Sequence, residues 1–173
     1  MTTWVVMIMV LMAGGLLQSQ LPGYAVLGQV KFPFLLAIVL YYALNWDVAV
    51  MLAAAVLAGL LQDLLSPIPL GYSAFCFCVV GWIANRWRKL VMTESVITPM
   101  FFGGLAAMAV TLSLYVFLVR GDFIGSAVGL LILRMIGAGL LGVISTPLIF
   151  LAAGRLDRLV GNVEDKESLD DGE

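Results

Sequence analysis

Six apolar segments follow one another along this chain of 173 residues, with only short breaks between them. A helix needs about 20 apolar residues to cross the hydrocarbon core of a bilayer, and about 17 to 25 are tolerated. Charged residues make up only 12% of the chain, against about 25% in an ordinary soluble domain. Lipid must therefore replace water over most of the surface, and the pattern predicts an all-α integral membrane protein.

The breaks fall at proline, glycine or charged residues and predict a bundle of six transmembrane helices. The expected spans are residues 4–21, 30–44, 48–65, 70–84, 97–119 and 124–153. They form one transmembrane domain, residues 1–158. The acidic segment 159–173 is expected to be a disordered cytoplasmic tail, because it has many carboxylates and little to bury.

Basic residues predict that both termini lie in the cytoplasm. One side of the bundle carries Arg86, Arg88, Lys89, Arg155 and Arg158, and the other carries Lys31 and Arg120. The more basic side of a membrane protein is normally cytoplasmic. Tryptophan agrees with this orientation, since all four fall near predicted cytoplasmic ends: Trp4, Trp46, Trp82 and Trp87.

A single carboxylate, Asp63, lies in an otherwise uncharged apolar segment that ends in the turn SPIPLG, residues 66–71. A charge in hydrocarbon costs a few to about 10 kcal/mol depending on the reference state, so it normally faces protein or water. Asp63 has three options: an ion pair with Arg134 of the sixth span, snorkelling, or local capping near the turn. Arg134 either forms that pair or snorkels to the outer interface.

Small residues predict close helix contacts, because lipid tails are as apolar as Leu and give no other driving force. On the third span, Ala55 and Gly59 lie on or near the face of Asp63. Other small residues are Gly103, Gly104 and Ala107 on the fifth span, and Gly137, Gly139 and Gly142 on the sixth. Pro147 is expected to kink the sixth helix. These positions together predict a compact bundle.

The reactive side chains argue against an enzyme. The chain has no His, and Asp63 has no second intramembrane carboxylate with which to share a proton. Without a cluster of carboxylates to hold divalent ions, we expect no catalytic residue, metal or cofactor. Cys76 and Cys78 are expected to be unpaired, because their spacing places them on different faces of a helix.

Three non-catalytic classes remain: a transporter subunit, a scaffold that binds other membrane proteins, and a bare membrane anchor. A transporter lines a midplane cavity with polar or broken helices, whereas polar residues within these spans are few. This favours a scaffold. The net charge of −2 argues against a nucleic-acid partner.

Residues 33–90 resemble the rod shape-determining protein MreD family. The third helix of that family reads G-x-x-x-D-L-x-S/G-x-x-x-L-G, and the matching residues here are Gly59, Asp63, Leu64, Ser66, Leu70 and Gly71. A proline that opens the second span and an aromatic-basic end of the fourth helix also agree. The double proline, Pro67 and Pro69, and the acidic tail depart from many relatives.

The resemblance implies a non-catalytic scaffold of the bacterial elongation (Rod) complex in the inner membrane. It implies binding to the transmembrane helix of MreC, and through it to MreB filaments, RodA and a class B penicillin-binding transpeptidase. The chain would thereby help organise lateral peptidoglycan synthesis and maintain rod shape. The family's bundle is also similar to substrate-binding subunits of energy-coupling-factor transporters, which is the alternative function. The expected docking or structural residues are Ala55, Gly59, Asp63, Ser66, Pro67, Leu70, Gly71 and Arg134.

Overall fold

Six α-helices form the part of the chain that the computed structural model describes, residues 2–21, 30–66, 69–88, 97–120 and 128–159. They are α1 (Thr2–Gln20), α2 (Phe34–Asn45), α3 (Val48–Leu64), α4 (Tyr72–Arg86), α5 (Ile97–Arg120) and α6 (Val128–Leu159). Every regular element in these ranges is an α-helix. The all-α prediction is therefore confirmed.

Several helix ends differ by a few residues from their predicted positions. α2 begins at Phe34 rather than at residue 30, with Pro33 at its N-cap, because a proline preorganises a helix start and disfavours helical backbone in the residue before it. α6 continues to Leu159, beyond the predicted end at residue 153 and into the first residue of the predicted tail. The rest of that tail, and Pro67, lie outside the described residues.

Three helices are long and apolar enough to cross a membrane: Thr3–Gln20, Thr98–Arg120 and Gly129–Leu156. α2 and α3 are apolar but shorter, and α4 has only 15 residues. The 12 residues of α2 rise about 18 Å, well below the roughly 30 Å of a hydrocarbon core. Helix length therefore supports a membrane protein, while the short helices depend on their neighbours to cover their ends.

The shortest helix, α2, forms the core of the bundle. All of its residues from Phe34 to Leu44 are buried, and it contacts each of the other five helices. A helix that is apolar on every face is stable when every face is covered. The prediction of a short second span thus corresponds to a central helix enclosed by protein.

Side chains from other helices bond to both ends of α2. At its start, Gln18 of α1 accepts a hydrogen bond from the backbone N–H of Leu35 at 3.3 Å. At its end, Asn85 of α4 donates to the carbonyl oxygens of Ala43 and Trp46 at 2.7 and 3.2 Å. Unpaired backbone groups at helix ends are costly away from water. These contacts satisfy backbone groups at both ends of the 12-residue helix.

Neighbouring helices run antiparallel in two tightly packed pairs. In the first pair, Gly59 near the end of α3 lies against Ala74 near the start of α4, and Met51 lies against Gly81. In the second pair, α5 and α6 are aligned so that Gly139 lies against Met108. Side-chain contacts of α1 with α2 and of α4 with α5 extend the alternation.

This alternation gives the bundle two distinct ends. The Asp63 end, defined by Gln18, Asp63 and Tyr72, contains the last residues of α1, α3 and α5 and the first residues of α2, α4 and α6. The Trp46 end, defined by Trp46 and Asn85, is the opposite end. The four tryptophans belong to helix segments at the Trp46 end, so they share one end as their sequence positions predict.

Glycines line the crossing of α5 and α6. A β-carbon on Gly142 would lie 2.8 Å from the Cβ of Ala107 and 2.8 Å from the carbonyl oxygen of Gly103. A β-carbon on Gly139 would lie 3.0 Å from the side chain of Met108. Five of the small residues predicted to mediate helix contacts on these two spans therefore do so: Gly103, Gly104, Ala107, Gly139 and Gly142. α6 continues as a helix through Pro147, and Cys76 and Cys78 are free thiols as expected.

The α5–α6 crossing predicts that Gly142→Leu destabilises the protein by about 2 kcal/mol or more, because overpacking forces the two helices apart. Gly129→Leu on the same helix is the matched control, since no heavy atom lies within 4 Å of a β-carbon there. Thermal unfolding in detergent measures both variants. Equal melting temperatures for the two would contradict close packing at Gly142.

Candidate functional site

Asp63 is the penultimate residue of α3 and is only 3% exposed. Its Oδ2 accepts a hydrogen bond from the backbone N–H of Gly71 at 2.7 Å, and its Oδ1 accepts one from that of Ser73 at 3.1 Å. Gly71 is the N-cap of α4, and Ser73 is the second residue of that helix. The carboxylate of one helix therefore caps the start of the next.

A helix N-terminus stabilises a buried carboxylate without a cation. The first backbone N–H groups of a helix have no partner within the helix, and the helix dipole places positive potential there. A hydrogen bond to a charged group contributes about 1.5–3 kcal/mol. The two bonds to Asp63 thus offset much of the cost of its burial, and they satisfy two donors of α4.

Gly71 gives the chain the conformation that this cap requires. Its φ is +100°, in the left-handed region, which a β-carbon disfavours by about 1–2 kcal/mol. No heavy atom lies within 4 Å of the position of such a β-carbon. The need for glycine here comes from the backbone rotation, not from lack of space.

Small residues on α3 bring α4 close enough for the cap. Gly59 lies one turn before Asp63, and a β-carbon on it would overlap the backbone N and Cα of Ala74. Ala55, one further turn back, is fully buried. Because the side chain of Asp63 is short, it reaches the backbone of α4 only where the two helices approach closely. Gly59 and Asp63 thus serve one helix contact.

A cluster of polar side chains lies near the same end of α3 and connects three helices. Gln18 of α1 donates from Nε2 to Oε1 of Gln62 at 2.5 Å, and Gln62 donates from Nε2 to Oγ of Ser66 at 3.3 Å. Gln18 also accepts from the backbone of α2. Ser66, predicted as a site residue, belongs to this group. Gln18 was not predicted, since an amide near the end of an apolar helix is unremarkable at a membrane interface.

Of the other predicted residues, Leu70 lies next to the cap and Arg134 lies on another helix. Leu70 is exposed on the turn before α4, and Pro67 lies outside the described residues. Arg134 lies on α6, which does not contact α3 in the described part of the chain. Both oxygens of Asp63 have backbone partners. The geometry therefore gives no support to an Asp63–Arg134 ion pair, and it corresponds to the local capping option.

These features describe an all-helical protein with membrane-type helices, held together by a carboxylate that caps a neighbouring helix. A family model described as rod shape-determining protein MreD matches residues 1–151. The chain therefore belongs to the MreD family, which confirms the resemblance and extends it over nearly all six helices. Comparison with curated proteins and with solved structures gives no match.

Family membership supports a role in rod shape determination and association with the shape-determining complex. Proteins of this family are generally non-enzymatic. In the described ranges, no three His, Cys, Asp or Glu side chains group together as metal ligands would. The buried side chains of Gln18 and Asp63 at the Asp63 end instead bond to backbone N–H groups and to Gln62.

The cap predicts that Asp63→Ala lowers the free energy of unfolding by about 2–5 kcal/mol, because each buried N–H left without an acceptor costs about 1–3 kcal/mol. Asp63→Asn retains one acceptor oxygen and should lie between Ala and wild type. Gln20→Ala, an exposed polar residue at the same end, is the control. Denaturation in detergent measures these free energies. Equal losses of stability in Asp63→Ala and the control would contradict the cap.

The backbone of Gly71 predicts an unusual order of substitutions. Gly71→Asn should cost less stability than Gly71→Val, although Asn is no smaller, because Asn tolerates left-handed backbone and a β-branched residue does not. The expected difference is about 1–2 kcal/mol in the free energy of unfolding. A smaller loss for Val than for Asn would show that the turn does not depend on the positive φ.

Proposed function

We propose that this chain is a non-catalytic membrane scaffold of the bacterial elongation (Rod) complex. It would bind the transmembrane helix of MreC and, through it, help position lateral peptidoglycan synthesis relative to MreB filaments, RodA and the class B transpeptidase. Membership of the MreD family supports the role in rod shape. The more specific partners are part of the proposal.

In this proposal all six helices lie in the inner membrane, with both termini in the cytoplasm. The alternation of helix directions supports it, because Trp4, Trp82 and Trp87 are exposed at the same end of the bundle. Exposed Arg86 and Arg155 belong to that end as well. Aromatic and basic residues together are typical of a cytoplasmic membrane interface. The Asp63 end would then face outward.

The observation that carries the scaffold proposal is that polar side chains form their hydrogen bonds within the bundle. Gln18, Gln62 and Asp63 bond within the bundle. Thr111 and Thr146 bond to carbonyl oxygens of their own helices at 2.8 and 2.7 Å. A transporter needs such groups to face its substrate. Polar groups that instead bond between helices or to their own helix favour a rigid scaffold over the energy-coupling-factor alternative.

The surface proposed for MreC lies around the capped turn. Leu64 and Leu70 flank the turn and are 71% and 66% exposed. Their positions depend on the bonds from Asp63 to Gly71 and Ser73, which hold the turn to α4. A transmembrane helix presents an apolar face of matching chemistry, and association in lipid depends on close packing against a rigid partner.

Co-purification tests this surface. The double variant Leu64→Ala and Leu70→Ala should reduce the MreC recovered with the protein by about tenfold, since losing two packed side chains costs about 1–2 kcal/mol of binding. Cells that depend on the variant should become round. The control is Leu16→Ala with Leu17→Ala on α1, which removes two leucines that are 60% and 56% exposed.

Wild-type recovery of MreC and rod-shaped cells with the Leu64/Leu70 variant would rule out this surface. A small molecule retained through gentle purification, together with association with ATPase subunits, would instead favour the transporter alternative. Equal loss of MreC in the test and control variants would mean that binding does not depend on the capped turn.

A further inference from the structure

A pocket of about 310 Å³ lies at the Trp46 end, between the start of α3 and the end of α4. It is lined by Asp47, Val48, Asn85, Arg86 and Arg88. It lies at the opposite end of the bundle from the Asp63 cap, and neither the cap nor the surface proposed for MreC uses any of these residues.

The charge of the pocket favours an anion. Arg86 and Arg88 bring two guanidinium groups against the single carboxylate of Asp47. Arg88 donates from Nη1 to the carbonyl oxygen of Trp46 at 3.5 Å, and its guanidinium has further N–H donors for a ligand. Asp47 makes no side-chain hydrogen bond to cap α3. Guanidinium groups bind phosphate through paired hydrogen bonds.

An apolar row leads away from the pocket along α3. It begins at Val48 in the pocket lining and continues at every fourth residue with Leu52, Val56 and Leu60, each 38–45% exposed. The 12-residue separation of Val48 and Leu60 corresponds to about 18 Å of helix. One leaflet of a 30 Å hydrocarbon core is about 15 Å thick. The row is therefore long enough to follow an acyl chain through a leaflet.

We propose that this pocket binds the phosphate of an anionic phospholipid, with an acyl chain of the same lipid along the row from Val48 to Leu60. Basic pockets between membrane helices bind anionic headgroups, and exposed Trp82 and Trp87 at the end of α4 suit the headgroup region. The apolar row favours a lipid over free phosphate. The proposal is independent of MreC binding, because a bilayer that contains anionic phospholipid supplies the ligand.

Lipid binding here acts on the core of the bundle. Asn85 lines the pocket and also donates to the last carbonyl groups of α2. Arg88 also lines the pocket and donates to the carbonyl oxygen of Trp46, the C-cap residue of α2. A headgroup that holds the end of α4 in place therefore stabilises the cap at the end of the central helix. The bound lipid raises the stability of the whole protein, since a ligand of the folded state shifts the unfolding equilibrium.

The test uses the full chain purified in a neutral detergent, with native mass spectrometry and thermal unfolding as readouts. Phosphatidylglycerol should form a defined one-to-one adduct and raise the melting temperature, whereas phosphatidylcholine and inorganic phosphate should not. Arg86→Gln should weaken phosphatidylglycerol binding about tenfold. Asp47→Asn should strengthen it severalfold, because it removes the repelling carboxylate. Arg155→Gln, an exposed arginine at the same end but outside the pocket, is the control.

Four results would overturn the proposal. Equal binding of phosphatidylglycerol by wild type and Arg86→Gln would remove the role of the pocket, and equal loss in Arg155→Gln would indicate general surface charge. Stabilisation by inorganic phosphate to the same extent would show an anion site without a lipid. Weaker binding by Asp47→Asn would have the wrong sign for an anionic ligand.

Discussion

The cap that Asp63 forms on α4 is the interaction on which the rest of this structure depends. Backbone donors at the start of a helix must find a partner within the protein when water is absent, and Asp63 supplies both of its oxygens to them. The left-handed backbone of Gly71 directs these N–H donors toward the carboxylate, and the missing side chain of Gly59 permits α4 to approach α3. The position of α4 in turn places Asn85 at the end of α2. The carboxylate of Asp63 thus positions α4, and the other end of α4 bonds to the end of the central helix.

The short central helix restricts how the other helices can be arranged. α2 is covered on every side and bonded at both ends by other helices, so its neighbours must hold one arrangement relative to it. Close glycine contacts in the α3–α4 and α5–α6 pairs limit movement further. The outside is left largely apolar, as both lipid and partner helices require. A rigid interior with an apolar exterior is the property expected of a scaffold for other membrane proteins.

The candidate site could be predicted in part from the sequence. An isolated carboxylate among apolar residues, with small residues one and two turns before it, predicted that Asp63, Gly59 and Ala55 lie on or near one face, and Asp63 and Gly59 both contact α4. Its partner could not be identified in the same way, because the groups that bond Asp63 are backbone N–H groups, which every residue but proline carries. Arg134 was a reasonable partner from charge alone. The absence of contact between α3 and α6 in the described residues could not be read from charge.

The sequence by itself determined the helical class, the approximate positions of six helices and the family, because apolar segment length and local turn chemistry are properties of neighbouring residues. The tertiary structure decided which helix is central, which helix ends are capped, and where the basic residues after α4 form a pocket with α3. Those features join residues far apart in the chain, as Gln18 joins Leu35 and Gln62. They depend on helix packing, which no local pattern encodes.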